Sequence, residues 1–143
     1  MEINSPAKVK VAHSIIENAG RGIVATDNIL EGELIERCPI IFLTENDYPL
    51  AKQTSLLNYY FLNESEDRAA IALGYGSLYN HSFEPNATYN KFLEEGFIDF
   101  VAIKNIKAGV EVTVNYNYGN PDDKKKLWIS EIPEYQSNDE YKN

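Results

Sequence analysis

A chain of 143 residues fits one domain, large enough to bury a core but with little room for a second. Hydrophobic residues at 43% and aromatics at 12% are typical of a folded globular protein. The lone Cys38 excludes an intramolecular disulfide and any zinc site built on several cysteines. The net charge of −9, from 22 acidic and 13 basic residues, argues against gripping nucleic acid through its phosphates. It suits a cationic partner such as a lysine-rich peptide, although acidity alone also keeps a small protein dissolved.

The opening MEINSPAKVKVAHSII holds no apolar run long enough for a signal peptide or a membrane span. The expectation is a soluble, intracellular protein of cytoplasm or nucleus. Lys8 to His13 alternates polar and apolar residues, which predicts a strand with one buried face. Gly20-Arg21-Gly22 breaks that pattern before a short strand at Ile23 to Ala25. Glu31-Gly32 marks a turn, followed by strand residues Leu34-Ile35-Glu36 and, past Pro39, a separate apolar run from Ile40 to Leu43. Glu45-Asn46-Asp47 reads as a helix start, and the aromatic-rich Leu56 to Leu62 as a segment packed inward. Ala69 to Leu73 is a small apolar strand ending at Gly74-Tyr75-Gly76. Ala87 to Phe92 and Phe97 to Ala102 read as a hairpin around Glu94-Glu95-Gly96, and Val110 to Val114 as a β-branched final strand. From Asn120 the character changes to PDDKKK, one Trp and a polar tail beyond Tyr135. Short strands without alternating long helices point to a mainly β, irregular fold.

Three clusters stand out. Gly20-Arg21-Gly22 lets the backbone turn tightly or approach a ligand, and by itself is no more than a turn. Asn80-His81-Ser82-Phe83-Glu84-Pro85-Asn86 follows Gly74-Tyr75-Gly76-Ser77. Each of its residues is a common turn former, but the whole heptad in this order is rare. His81 there is either an acid–base group or a loop histidine held by the backbone. No second ligand stands at metal spacing beside it, so no metal site is expected. Lys107 to Tyr118 runs from a turn into a strand that ends in Tyr116 and Tyr118. Residues two apart share a face, so the two rings point into one cavity or pack across strands.

Together the three clusters, over roughly residues 8–119, resemble the SET-domain family of protein lysine methyltransferases. Asn80-His81-Ser82 with Pro85-Asn86 matches the family's N-H-S-x-x-P-N signature. Gly109, Glu111, Thr113 and Tyr116 match G-E-E-L-T-x-D-Y, with Val110 for the first Glu and Asn115 for the Asp. The resemblance implies a SET-domain (β-clip) fold of several small sheets, whose C-terminal signature threads a loop as a pseudoknot. Residues 1–119 would form that domain. Residues 120–143 would be a C-terminal segment, partly packed and then a polar tail. It further implies an S-adenosylmethionine-dependent lysine N-methyltransferase acting on a basic, histone-like protein. Cofactor and peptide would enter from opposite faces of a narrow channel.

On the same resemblance, Gly20, Arg21, Gly22, Asn80 and the backbone of His81 hold the cofactor, and Tyr116 is both catalytic and cofactor-facing. Many relatives carry a channel tyrosine where this chain has Cys38, and Tyr59, Tyr60, Tyr75 or Tyr118 would replace that wall. Val114, small and two residues before Tyr116, leaves room for a more methylated lysine. Leu127-Trp128-Ile129 would close the channel in place of the cysteine-rich flanks of relatives, or simply pack on the core. Short members of the family include dimers, so a homodimer is an open alternative. A SET-like module that binds a basic peptide without catalysis is the alternative function.

Overall fold

The computed structural model describes residues 2–117 and 120–124. Tyr118, the segment Leu127-Trp128-Ile129 and the tail beyond Tyr135 lie outside the described residues. In chain order come β1 (Val9–His13), β2 (Arg21–Ala25), β3 (Leu34–Phe42), α1 (Asp47–Ala51), β4 (Tyr60–Leu62) and β5 (Ala69–Ala72). They are followed by β6 (Asn80–His81), β7 (Ala87–Phe92), β8 (Phe97–Ala102) and β9 (Glu111–Val114). Two 3₁₀ turns, Ser55–Asn58 and Gly76–Leu78, connect α1 to β4 and β5 to β6. The fold is mainly β, as the alternating sequence implies.

The strands form two sheets, one ordered β1-β2-β9-β6 and the other β4-β5-β3-β8-β7. The β7–β8 hairpin has the predicted boundaries, with pairs running from Ala87↔Ala102 to Phe92↔Phe97. Gly96, at φ +92°, closes its turn in the left-handed conformation that glycine adopts without strain. The centre of the larger sheet is apolar: Ile98, Phe100 and Ala102 are buried, and Phe100 stacks on Tyr79 with ring centroids 4.3 Å apart. Asp99, buried in the same strand, receives a two-pronged pair from Arg37 on β3 at 2.7 and 2.8 Å. Such a bidentate pair compensates the carboxylate for its lost water.

Three sequence expectations are corrected here. β3 does not stop at Pro39 but runs nine residues through it. Pro39 accepts the Leu73 N–H at its carbonyl, and the N–H and C=O of one strand residue point the same way. The donor that proline lacks would therefore face Leu73 just past the end of β5, so only one terminal bond of that ladder goes unmade. β1 buries only Val9, whereas Val11, two residues along on the same face of this edge strand, is exposed. Leu56 to Leu62 does not pack wholly inward: Leu56 and Tyr59 are exposed, the rest are half-buried, and the segment borders a cavity.

The small sheet carries the long-range connection. β9 lies antiparallel to β2 (Ile23↔Val112) and parallel to β6 (Asn80↔Thr113, His81↔Val114). The Ser82 N–H then donates to the Val114 carbonyl at 2.9 Å. Farther along the loop, Asn86 accepts the Thr113 N–H at 2.9 Å and donates to the Glu111 carbonyl at 2.8 Å. The Asn80-to-Asn86 loop thus grips β9 at two places, the interlocked arrangement expected of the pseudoknot. Among the described residues no helix is long and apolar enough to cross a membrane.

Candidate active site

One half of the candidate site is the junction of β2, β6 and β9. Gly20 turns the chain at φ +74° with open space where a side chain would stand. Arg21 is exposed, and its carbonyl accepts the Asn80 amide at 2.8 Å. The same Asn80 nitrogen donates to Glu111 Oε2 at 3.0 Å. Glu111, buried, also receives the Ser14 hydroxyl at 2.7 Å and the Ile15 N–H at 3.1 Å. Its carboxylate is therefore the post around which the N-terminal loop is wound. Gly22 has to be glycine for this packing: an added Cβ would stand 2.7 Å from Glu111 Oε2 and 2.8 Å from Asn80 Nδ2.

The other half is the end of β9 and the cavity beside it. Asn115, fully buried, donates to the Asp123 carbonyl at 2.5 Å, which ties the chain beyond the strand back to the loop. Lys124 donates to the Phe83 carbonyl. The Tyr116 N–H donates to His81 Nδ1 at 3.1 Å, and the Tyr116 hydroxyl donates to the Tyr79 carbonyl at 2.6 Å. His81 is wholly buried, with its ring edge-on to Phe83. Burial, aided by the charge of Lys124, pushes its pKa down to about 3. A neutral imidazole accepting a backbone proton is an orienting group for Tyr116 and not a proton shuttle at neutral pH.

Beside Tyr116 lies a cavity of about 380 Å³. Its aromatic wall is Tyr48, Tyr59, Tyr60, Phe61, Tyr79 and Tyr89, with Val114 and Tyr116 on the β9 side. Lys52, Lys91 and Glu66 bring charge to it. Lys91 is half-buried, and the burial lowers its pKa despite the opposing pull of Glu64 and Glu66.

The structure brings Tyr60, Val114 and Tyr116 together at this cavity, with Tyr59 beside them. It does not bring Tyr75 there: that half-buried side chain packs against the core, and its N–H is held by Glu36. Cys38 is fully buried, its Sγ only 2.9 Å from where a Cβ on Gly76 would stand, and burial together with nearby Glu36 raises its pKa. It contributes no wall to the cavity. Sequence reasoning missed Tyr79 and Tyr89. Tyr79 immediately precedes the Asn80-His81 pair and was overshadowed by it. Tyr89 sits at a buried alternate position of β7, where it reads as ordinary core, yet its hydroxyl donates to the Tyr116 carbonyl at 3.4 Å.

Comparison with known proteins places this geometry. The sequence profile of the SET domain matches residues 20–117. A fission yeast (Schizosaccharomyces pombe) protein, "Histone-lysine N-methyltransferase, H3 lysine-37 specific", is 30% identical over 114 residues, covering 80% of this chain and 75% of its own. Mouse (Mus musculus) "Histone-lysine N-methyltransferase NSD3" is 30% identical over 110 residues, which are 71% of this chain but 8% of that much longer protein. Among solved structures, a candidate histone methyltransferase of Plasmodium falciparum superposes with a TM-score of 0.63 at 27% identity, over 81% of this chain and 96% of its own. The interlocked Asn80–Asn86 loop, the Tyr116 hydroxyl and these matches coincide over the same residues: the chain belongs to the SET-domain family of protein-lysine methyltransferases.

Proposed function

We propose that this protein transfers a methyl group from S-adenosylmethionine to a lysine ε-amine of a basic, histone-like protein. The observation that carries the proposal is the Tyr116 hydroxyl, fixed on the Tyr79 carbonyl at the wall of an aromatic cavity of about 380 Å³. S-adenosylmethionine, when bound, supplies an electrophilic sulfonium methyl. The residues at the β2–β6–β9 junction fit such a group. Gly20 leaves its backbone open, Arg21 offers a cation for a carboxylate, and Asn80 with Glu111 holds the loop in shape. Gly22 allows the close approach on which that shape depends.

The chain's own residues have three tasks. The first is to present a neutral amine, since free lysine has a pKa of about 10.4. An aromatic wall that keeps water from the amine would favour the uncharged form, and burial beside the same cavity lowers the pKa of Lys91. The second is alignment at roughly 3–3.5 Å between the reacting atoms, which the aromatic rings provide by confining the aliphatic stem. The third belongs to Tyr116. Its only hydroxyl proton is committed to the Tyr79 carbonyl, so its oxygen remains an acceptor towards the reacting centre. That geometry stabilises charge and direction and does not make Tyr116 a general base.

Isothermal titration with S-adenosylmethionine, followed by transfer of labelled methyl to histones or lysate proteins, tests this reading. Binding and labelling are expected. A protein that binds no S-adenosylmethionine would instead be a SET-like module for basic peptides.

A further inference from the structure

Glu36 is a carboxylate that the fold buries almost completely, at 4% exposure, next to the buried Cys38 on the same face of β3. Burial of a carboxylate is costly unless strong donors replace its water. Here Oε2 accepts the Tyr75 N–H at 2.9 Å and Oε1 accepts the Tyr79 hydroxyl at 2.9 Å. These two donors stand at the two ends of the Gly76–Leu78 turn, so a single carboxylate clamps both. Below the turn the packing is tight: a Cβ at Gly76 would lie 2.6 Å from Ala72 Cβ and 2.9 Å from Cys38 Sγ. The turn delivers one further group, the Tyr79 carbonyl, and that is the acceptor of the Tyr116 hydroxyl at 2.6 Å. The Tyr79 ring, stacked flat on Phe100, forms part of the cavity wall.

We infer that Glu36 is a positioning residue. By holding the Tyr75 N–H and the Tyr79 hydroxyl it fixes the Tyr79 carbonyl, and through that carbonyl the direction of the Tyr116 hydroxyl. The Tyr79 ring is held by the same bond and completes the wall beside which Cys38 offers no aromatic group. The inference rests on the methyltransferase reading and adds the residue that aims its catalytic tyrosine. A purely structural Glu36 would change stability alone. A positioning Glu36 changes turnover while leaving intact the bonds of Asn80 to the Arg21 carbonyl and to Glu111, in which Glu36 takes no part.

The test uses the full chain and the variants Glu36→Gln, Tyr79→Phe and the double variant, each near-isosteric. The measurements are kcat and KM for a histone substrate, S-adenosylmethionine affinity by titration, and thermal midpoint. Glu36→Gln is expected to lower kcat about tenfold or more with cofactor affinity within about twofold of the parent, and Tyr79→Phe to lower it roughly three- to tenfold. The double variant is expected to be no slower than Glu36→Gln, because both changes cut one link. Parental kcat in either folded single variant overturns the inference, as do losses that multiply in the double variant. If Glu36→Gln does not fold, Tyr79→Phe decides the matter alone. A parent protein without any transfer activity overturns the methyltransferase reading itself, and this inference with it.

Discussion

Tyr116 and His81 illustrate how one strand end carries two kinds of dependence. The Tyr116 hydroxyl touches the cavity, and its N–H is held by the His81 ring. Tyr116→Phe removes only the oxygen, so it should lower kcat about a hundredfold while S-adenosylmethionine affinity stays near the parental value. Equal turnover by that variant would remove Tyr116 from the chemistry. His81 governs acid stability instead. Its folded pKa of about 3 lies below the unfolded value of 6.5, so the unfolded chain takes up a proton that the folded chain refuses. Its contribution is whole above about pH 6.5 and drains as the pH falls towards 3, a loss on the order of 4 kcal/mol. Denaturant midpoints at pH 7 and pH 4 should differ more for the parent than for His81→Asn, which retains an acceptor but does not titrate. A variant with the same acid loss would assign the effect to other groups.

At the scale of elements, the G-R-G turn and β9 are joined through Asn80 and Glu111, and Gly22 is the point of closest approach. Gly22→Ala would press a methyl group into two buried polar side chains, and should cost about 1–3 kcal/mol. A chemical denaturation curve reads this directly, and an unchanged midpoint would mean the junction relaxes freely. The elements most legible in the sequence were those set by local chemistry. Alternation and Gly96 fixed both arms of the β7–β8 hairpin, and the β-branched run gave β9. Less legible was β3, where Pro39 reads as a break but sits opposite the end of β5, a fact of tertiary pairing. The site divided in the same way. Asn80, His81 and Tyr116 announced themselves as a motif. Part of the cavity wall, Tyr60 and Val114, was named as well, but Tyr79 was not, because it reaches the cavity through a 3₁₀ turn and a bond to Glu36, 43 residues earlier in the chain.

For the whole molecule, the net charge of −9 predicts a salt-sensitive encounter. The Debye length shrinks from about 10 Å at 0.1 M to about 3 Å at 1 M salt, so kcat/KM for a lysine-rich substrate should fall several-fold over that range. Initial rates across a salt series check this, and a flat profile would exclude long-range steering. The order β1-β2-β9-β6 has a temporal consequence as well. As the chain leaves the ribosome, the β1–β2 hairpin emerges early, but its inner neighbour β9 follows only after some 85 further residues, from Ala25 to Glu111. Until then one edge of β2 is bare, and β6 has no strand to lie beside. Such non-local closure slows folding, since loop entropy is lost before any contact rewards it. The clasp of β6 and β9 that holds Tyr116 can therefore form only after β9 has been made, well after the β1–β2 hairpin whose open edge it completes.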